Sequence, residues 1–441
     1  MNTNKTEKEN IDNSNKMEKI VSLCKRRGFV FPGSEIYGGL AGTYDWGHFG
    51  LALKNNIKNS WWKKFVDSRR DMYGIDASIL MRQEVWQNAG HVENFADPMV
   101  ECDKCKNRFR TDQIENRENC GECGGKLIEM QKFNMMFQTK IGASEDSSAV
   151  SYLRPETAQG MFVNFKNTVD AFHPKLPFGM AQIGKAFRNE ITPRDFIFRV
   201  REFEQMEIEY FVREDSWEKY FEYWKDEMLE WMEEVGIDMN KVHEIEIGDN
   251  DRAHYSSRTV DFEFEYPFGQ KELFGLAYRT DFDLKNHKLD YIDEEAGSKI
   301  VPHVIEPTFG VDRAILALLL SVYNEEEKNG EIRSYLKFKP NIAPVICAVS
   351  PLLKNKTELV EYANTKVFAL LKEEFGRVAW DDNGNIGKRY RRQDEIGTPY
   401  CIVVDFDTLE DNTVTVRDRD TGNQERVKVE DLKNYLKEKI N

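Results

Sequence analysis

The sequence predicts an α+β protein: an antiparallel sheet flanked by helices, with a small inserted segment and a C-terminal α/β module. Three observations carry this prediction. Residues 187–211 and 260–266 alternate residue types with the period of two that strands impose. Residues 215–236 put apolar side chains at helical spacing, and residues 314–322 form one continuous apolar run. From Ile342 onward strand and helix patterns follow each other in turn, as in an α/β unit.

Taken in order, residues 1–16 are rich in Asn, Lys and Glu and lack an apolar stretch. They read as a disordered leader and not as a signal peptide. A large domain is expected over residues 17–339. It opens with a helix at 55–66 carrying Trp61, Trp62 and Phe65, then an extended segment at 75–81. Residues 101–128 interrupt it as an insertion, and 133–137 return to the string Leu153-Arg154-Pro155-Glu156-Thr157-Ala158-Gln159-Gly160. The helix at 215–236 is expected to be capped by Asp215 with Glu218 and ended by Gly236. Its stripe of Trp217, Tyr220, Phe221, Trp224, Met228, Trp231 and Met232 reads as core. Strands follow at 260–266 and 272–278 around a turn at Pro267 to Gly269, then the buried helix at 314–322. The module over 340–441 reads as strands at 344–349, 377–380, 401–405 and 413–419 with helices at 358–374 and 389–395.

At 441 residues with 40% hydrophobic content, the chain can build packed cores for two or three domains. No apolar run approaches the roughly 20 residues of a membrane span, and a cytoplasmic location is expected. The net charge of −15 argues against non-specific nucleic-acid binding, but basic residues concentrate at Lys388-Arg389-Tyr390-Arg391-Arg392 and over 104–110. Four of the seven cysteines fall as Cys102-x2-Cys105-x14-Cys120-x2-Cys123, the spacing of a four-thiolate zinc ribbon. A closed set of four thiolates leaves no position for a catalytic water, so the expected role of Zn2+ is structural. Cys24, Cys347 and Cys401 stand alone and read as small buried hydrophobes.

Residues 187–211 read as two strands joined at Thr192-Pro193-Arg194-Asp195. Alternation puts Arg188 and Glu190 on one face of the first strand. On the second it lines up Arg199, Arg201, Phe203, Gln205, Glu207 and Glu209, with Met206, Ile208, Tyr210 and Val212 opposite. Charged strand faces are commonly just solvated. This one also suits a ligand that is anionic at one end, flat at the other, and carries an ammonium group.

The ordered string Phe187-Arg188-x-Glu190, a turn and a basic second strand resembles motif 2 of the class II aminoacyl-tRNA synthetases. Gly310-Val311-Asp312-Arg313 before the apolar run resembles their motif 3, and the helix and extended segment over 55–81 resemble motif 1 without its usual proline. With the 153–160 string, Arg201 to Glu207, Glu306-Pro307-Thr308, and residues 28–39 and 387–400, the resemblance narrows to the homodimeric glycyl-tRNA synthetase family, from about Ile20 to the C-terminus. It implies a class II antiparallel sheet, a zinc-ribbon insertion and a C-terminal anticodon-binding domain. It also implies a homodimer that uses ATP and Mg2+ to activate glycine and then charges tRNA(Gly).

Residue roles follow from the same resemblance. Arg188 would meet the α-phosphate, Arg313 the γ-phosphate and Glu190 the adenine amino group; these three are the expected catalytic residues. Phe203 would stack on adenine, beside Asn189, Phe198, Arg199, Val200, Arg201 and Glu202. Glu272 is the expected Mg2+ ligand, next to Leu273, and Gly310, Val311 and Asp312 complete the nucleotide set. Glu156, Glu207 and Glu306 match the positions that hold the glycine ammonium. Arg110, Phe203, Glu204, Gln205, Met206, Pro307, Thr308, Phe309 and Gly310 are expected around the amino acid. Thr308 stands where the family usually has serine, keeping the hydroxyl and adding a methyl. Glycine has no smaller natural competitor, and no segment is left for an editing domain. The alternatives are a non-catalytic nucleic-acid-binding paralogue, disfavoured by the intact ATP residues, and a class II synthetase for proline, threonine or histidine.

Overall fold

The computed structural model describes residues 3–111, 114, 118–130, 133–142, 150–294, 297–328 and 330–440. The elements that build the large domain are α1 (Thr3–Arg27), α2 (His48–Trp62), β1 (Met72–Gly74), β2 (Phe178–Phe187), β3 (Glu202–Val212), α3 (Trp217–Val235), β4 (Val242–Glu246), β5 (Arg258–Tyr266), β6 (Gly269–Thr280), β7 (His303–Gly310) and α4 (Val311–Val322). The seven strands form one sheet in the order β4-β5-β6-β7-β3-β2-β1. All pairs are antiparallel except β2 with β1.

Strand alternation decides which side of this sheet carries the largest core. Met206, Ile208, Tyr210 and Val212 of β3 join Phe274 and Leu276 of β6 and Ile305 and Phe309 of β7 in the largest core. Against that face pack Trp61 and Phe65, the aromatic stripe of α3, and nearly all of α4. The stripe is therefore core, as its spacing suggested: Phe221, Trp224, Met228 and Trp231 are fully buried. Gly236 ends α3 at φ 97, a conformation that glycine adopts without strain. The N-cap is Ser216 and not Asp215, because a short 3-10 turn, Glu214–Ser216, shifts the helix start.

The paired strands of residues 187–211 are the main departure. β2 ends at Phe187 and β3 begins only at Glu202, and the segment between keeps a single isolated bridge, Arg194 to Arg199. Pro193 has no N–H to give a ladder, and Asp195 (φ 60) and Phe196 (φ 56) are left-handed, which breaks strand geometry. Ile197 is buried in the core and Phe196 packs edge-on against Tyr44 at 5.3 Å. This loop is fastened to residues 41–42: Arg201 N donates to Gly42 O (2.7 Å) and Arg201 Nη1 to Ala41 O (2.6 Å). A Cβ on Gly42 would lie 2.5 Å from Pro193 Cβ, so glycine is required at that contact.

Residues 3–16, expected to be part of a disordered leader, continue α1. Ile20, Leu23 and Cys24 anchor its C-terminal half in the core, and helix propagation from an anchored segment is favourable.

The insertion folds as a small sheet of Met99–Cys102 between Arg108–Arg110 and Leu127–Glu129. The C-terminal module has its own core from Ile346 onward, while Ile342, Ala343 and Val345 still pack in the large one. Its sheet runs Val378–Trp380, Cys347–Pro351, Tyr400–Val404, Thr413–Asp418, Gln424–Lys428, the first three parallel. The strand expected at 344–349 sits later, at Cys347–Pro351, and the strand Gln424–Lys428 and helix Leu432–Ile440 add to the expected set. Arg333 of the hairpin Tyr323–Leu336 and Arg417 of the module both bind Asp394, at 2.8 and 2.9 Å, and join the two parts.

Candidate active site

Two adjoining pockets open on the polar face of the sheet and share Arg188, Gln205, Glu272 and Thr308. The first is lined by arginines and aromatics. It takes Arg188, Glu190, Phe198, Arg199 and Val200 from the loop before β3, Phe203 from β3, Glu272 and Leu273 from β6, and Gly310, Asp312 and Arg313 from the β7–α4 junction. Arg188 is held by Nε donation to Pro155 O (3.1 Å) and lies between Phe95 and Phe203, 5.3 Å from each ring centroid. Arg313 stacks on Phe198 at 4.4 Å and pairs with the Glu272 carboxylate at 3.0 Å. That guanidinium holds the Glu272 carboxyl below its usual range. Arg199 Nε lies 4.0 Å from Glu190 Oε2.

Four residues expected at the nucleotide lie outside this lining. Arg201 donates to Glu190 O (3.0 Å) and to Ala41 O, and so serves the loop. Asn189 gives its N–H to Met135 O (2.7 Å). Glu202 pairs with Lys185 across the strand edge, and Val311 is buried in the core.

The second pocket is lined by carboxyls. Glu156 precedes the short helix Ala158–Phe162, Glu207 comes from β3 and Glu306 from β7, and all three are buried. β3–β7 register sets Glu207 opposite Thr308, and β7–β6 register sets Thr308 opposite Gly275. Thr308 Oγ1 donates to Glu207 Oε1 (3.1 Å) and Thr157 Oγ1 donates to its other oxygen. Gln205 is fixed by accepting from Thr157 N (3.2 Å). Alternation turns Glu204 and Met206 away from this pocket. Glu204 meets Lys54 (3.0 Å) and Lys58 (2.9 Å) on the far side, and Met206 is core. Phe309 is core for the same reason, and Pro307, opposite Leu276, does not line the pocket. Arg110 ends the strand Arg108–Arg110, and its side chain lies outside the described residues.

Charge in this pocket is unbalanced. Arg279, fully buried on β6, donates to Asp283 (2.7 and 2.9 Å) and Glu306 (2.7 Å) and stacks on Tyr255 at 3.7 Å. His91 Nε2 lies 3.1 Å from Glu156 Oε2. Burial pushes Glu156 up, but the charges of His91, Arg279 and Arg188 outweigh it and hold that carboxyl low. Burial and neighbouring carboxyls push Glu207, Glu209 and Glu306 up. Both oxygens of Glu209 are buried without a hydrogen-bond partner. One more positive charge delivered by a ligand would ease this arrangement.

Nothing in the sequence marks His91 and Arg279, and Thr157 and Gln159 stand there only within the string 153–160, with no role of their own. Gln159 Nε2 donates to Asp283 (2.9 Å), and only the L-R-P-E-T-A-Q-G string pointed toward it. Asp261, on the strand expected at 260–266, adds a carboxyl to the lining of the second pocket. Burial, and then the charges of Glu272 and Glu263, push its carboxyl up to about 7. A Cβ built on Gly275 would meet Asp261 Oδ1 at 3.8 Å and Glu272 Oε1 at 3.9 Å, so the two carboxyls flank one spot.

In the insertion, the ligand atoms of Cys102, Cys105, Cys120 and Cys123 lie within 4.8 Å of one another. The Cys102–Cys123 and Cys105–Cys120 sulfurs are 3.4 and 3.8 Å apart, matching the edge of roughly 3.8 Å that Zn–S bonds of about 2.3 Å produce in a tetrahedron. Gly125 is required here, since its Cβ would fall 2.7 Å from Cys102 Sγ. In the C-terminal module the basic string divides by role along the helix Ile386–Ile396. Arg389 is buried and donates to the carbonyls of Pro351, Asp382 and Gly384, Arg392 pairs with Asp381 (2.6 Å), and Arg417 stacks on Tyr390 at 4.7 Å. Lys388 and Arg391 are left facing outward.

Comparison with known proteins places this geometry. Residues 137–323 match the family described as tRNA synthetase class II core domain (G, H, P, S and T), and residues 346–439 match the anticodon binding domain. The glycine--tRNA ligase of Clostridium acetobutylicum is 48% identical over 460 residues, covering 96% of this chain and 98% of that protein. Those of Treponema denticola (47%; 97% and 98% covered) and Caldanaerobacter subterraneus subsp. tengcongensis (46%; 96% and 98% covered) are similar to the same extent. Among solved structures, the prolyl-tRNA synthetase of Cryptosporidium parvum complexed with halofuginone and AMPPNP shares the fold. Its TM-score is 0.67 at 15% identity, with 96% of this chain and 74% of that one covered. Among the described residues no helix is long and apolar enough to cross a membrane. The chain belongs to the glycine--tRNA ligase family of the class II aminoacyl-tRNA synthetases.

Proposed function

We infer that this chain condenses glycine with ATP to glycyl-adenylate and then transfers the glycyl group to the 3′ end of tRNA(Gly). One observation carries the reading: a pocket with surplus carboxyls adjoins a pocket that gathers Arg188, Arg199 and Arg313 beside the rings of Phe198 and Phe203, and Arg188 and Gln205 stand between them. Glycine offers an ammonium to the first, ATP offers phosphates to the second, and the reacting carboxylate and α-phosphate meet at the shared wall.

Activation needs no general base, because the glycine carboxylate is already ionised. One carboxylate oxygen bonds to the α-phosphorus while the bond from that phosphorus to the bridging oxygen breaks, and pyrophosphate leaves. Arg188, set in place by Pro155 and two phenyl rings, is oriented to stabilise charge on the α-phosphoryl oxygens. Arg313 would hold the far phosphate and Glu190 the adenine. In the second step the terminal tRNA hydroxyl attacks the glycyl carbonyl carbon, the bond from that carbon to the phosphoryl oxygen breaks, and AMP departs with its phosphate taking up the hydroxyl proton. Glu156, Glu207 and Glu306 would hold the ammonium, with the Thr308 hydroxyl closing the cage.

Glu272, with Asp261 beside it, suits Mg2+ as an oxygen donor, and the ion would neutralise phosphate charge. Zn2+ would fill the four-cysteine set and brace the insertion. A homodimer is supported by the exposed apolar loop carrying Ile36, Tyr37 and Leu40. The module over residues 346–439 would read the anticodon, with Lys388 and Arg391 toward RNA. We place the reaction in the cytoplasm.

The test is attachment of labelled glycine to a tRNA(Gly) transcript. Charging that requires ATP and glycine is expected. Adenylate formation without any transfer would contradict the second half of the reading.

A further inference from the structure

We propose that His91 is a positioning residue for the amino-acid pocket, held there by the stem of the cysteine ribbon. The inference rests on the glycine reading of that pocket. His91 opens the one-turn helix His91–Asn94 and is 4% exposed. Trp86 and Phe95 close around its ring, with centroids at 5.5 and 5.6 Å. Its Nε2 is 3.1 Å from Glu156 Oε2, whereas Nδ1 is buried without a partner. An imidazole with half its hydrogen bonding unmade is a poor choice for packing alone. Its one polar contact goes to the carboxylate that faces the glycine ammonium.

The same segment reaches the other half of the site. Phe95 lies 5.3 Å from the Arg188 guanidinium, so two residues one turn apart back the group at each end of the glycyl-adenylate linkage. The segment is tied to the chain returning from the ribbon. Asn134 Nδ2 donates to Val92 O (2.9 Å), Met135 N donates to Phe95 O (3.1 Å), and Asn189 N donates to Met135 O (2.7 Å). The ribbon stem thus spans the gap between His91 and the loop that carries Arg188. Side chains that orient a ligand-binding group in this way commonly change affinity 10–100-fold when replaced, as outer-shell partners do around metals.

The experiment compares His91→Gln with His91→Asn by glycine-dependent exchange of pyrophosphate into ATP. Both variants keep a polar amide, but only glutamine carries a donor at the Nε2 position. The expected result is a glycine KM at least about tenfold higher for His91→Asn than for His91→Gln, with the ATP KM of the two within about threefold. Equal glycine KM values, or glycine and ATP KM values rising together, overturn the proposal, since packing alone would do either. If His91→Asn does not fold, His91→Ala replaces it: a glycine KM at least about tenfold above that of His91→Gln, with the two ATP KM values within about threefold, supports the role, and equal glycine KM values overturn it. Absence of glycine-dependent exchange in the unaltered protein would instead refute the reading of the pocket.

Discussion

Arg313 Nη1 lies 3.0 Å from a carboxylate oxygen of Glu272, across the floor of the arginine-lined pocket. The pair puts a cation and an anion where a polyphosphate and its metal would divide them. Arg313→Ala should raise the ATP KM in the exchange reaction by about tenfold or more, and leave the glycine KM nearly unchanged. Steady-state kinetics at saturating glycine will read this directly. A rise in glycine KM alone would place Arg313 elsewhere in the reaction.

The Thr308 methyl sits where the family usually keeps only a hydroxymethylene, opposite Glu207 and Gly275. Thr308→Ser keeps the hydroxyl that donates to Glu207 and removes bulk. Glycine activation should change by less than about threefold, while alanine-dependent exchange should rise by about tenfold, the scale that one methyl provides.

Asp261 gives a pH signature. Its folded-state carboxyl is pushed up to about 7, above an ordinary value near 4, so folding requires this group to hold a proton through that window. The cost to stability is absent below pH 4, grows as pH rises toward 7, and stays constant above. Asp261→Asn should therefore raise Tm increasingly between pH 4 and 7, with a constant gain at higher pH. A Tm gain that is the same at pH 4 and pH 8 would disprove the assignment.

Removal of metal from the ribbon gives a third kind of test. Metal analysis should find about one Zn2+ per chain, and Cys120→Ser should abolish it. Chelation should lower Tm and raise the glycine KM, because the ribbon stem abuts the helix His91–Asn94.

The basic string of the C-terminal module separates into structural and exposed arginines. Arg389→Ala should cost about 1–3 kcal/mol of stability, because it strips donors from the buried Pro351 carbonyl and the partly buried Asp382 and Gly384 carbonyls. Arg391→Glu should raise the tRNA KM several-fold without altering pyrophosphate exchange. Equal loss of both activities in Arg391→Glu would remove it from the RNA surface.

The alternation of Gln205 and Glu207 against Met206 and Ile208 was legible because a strand's period of two is local and strict. A motif contiguous in sequence groups Glu204 and Met206 with the substrate residues, whereas the pleat sends alternate members to opposite faces. The loop over residues 188–201 was not legible, since the left-handed turns at Asp195 and Phe196 depend on where Phe196 and Ile197 find burial. Arg279 and His91 escaped notice because nothing in their sequence neighbourhoods marks them. Their partners, Glu306 and Glu156, come together only when the sheet and the ribbon stem form. The cysteine spacing, in contrast, needed no tertiary information.

The central claim is that the surplus-carboxyl pocket holds the ammonium of glycine beside the α-phosphate of ATP. Exchange of labelled pyrophosphate into ATP, measured with each amino acid in turn, tests this most directly. Exchange with glycine and background rates with alanine, serine and proline are expected; exchange driven by alanine or serine, with none by glycine, would contradict the account.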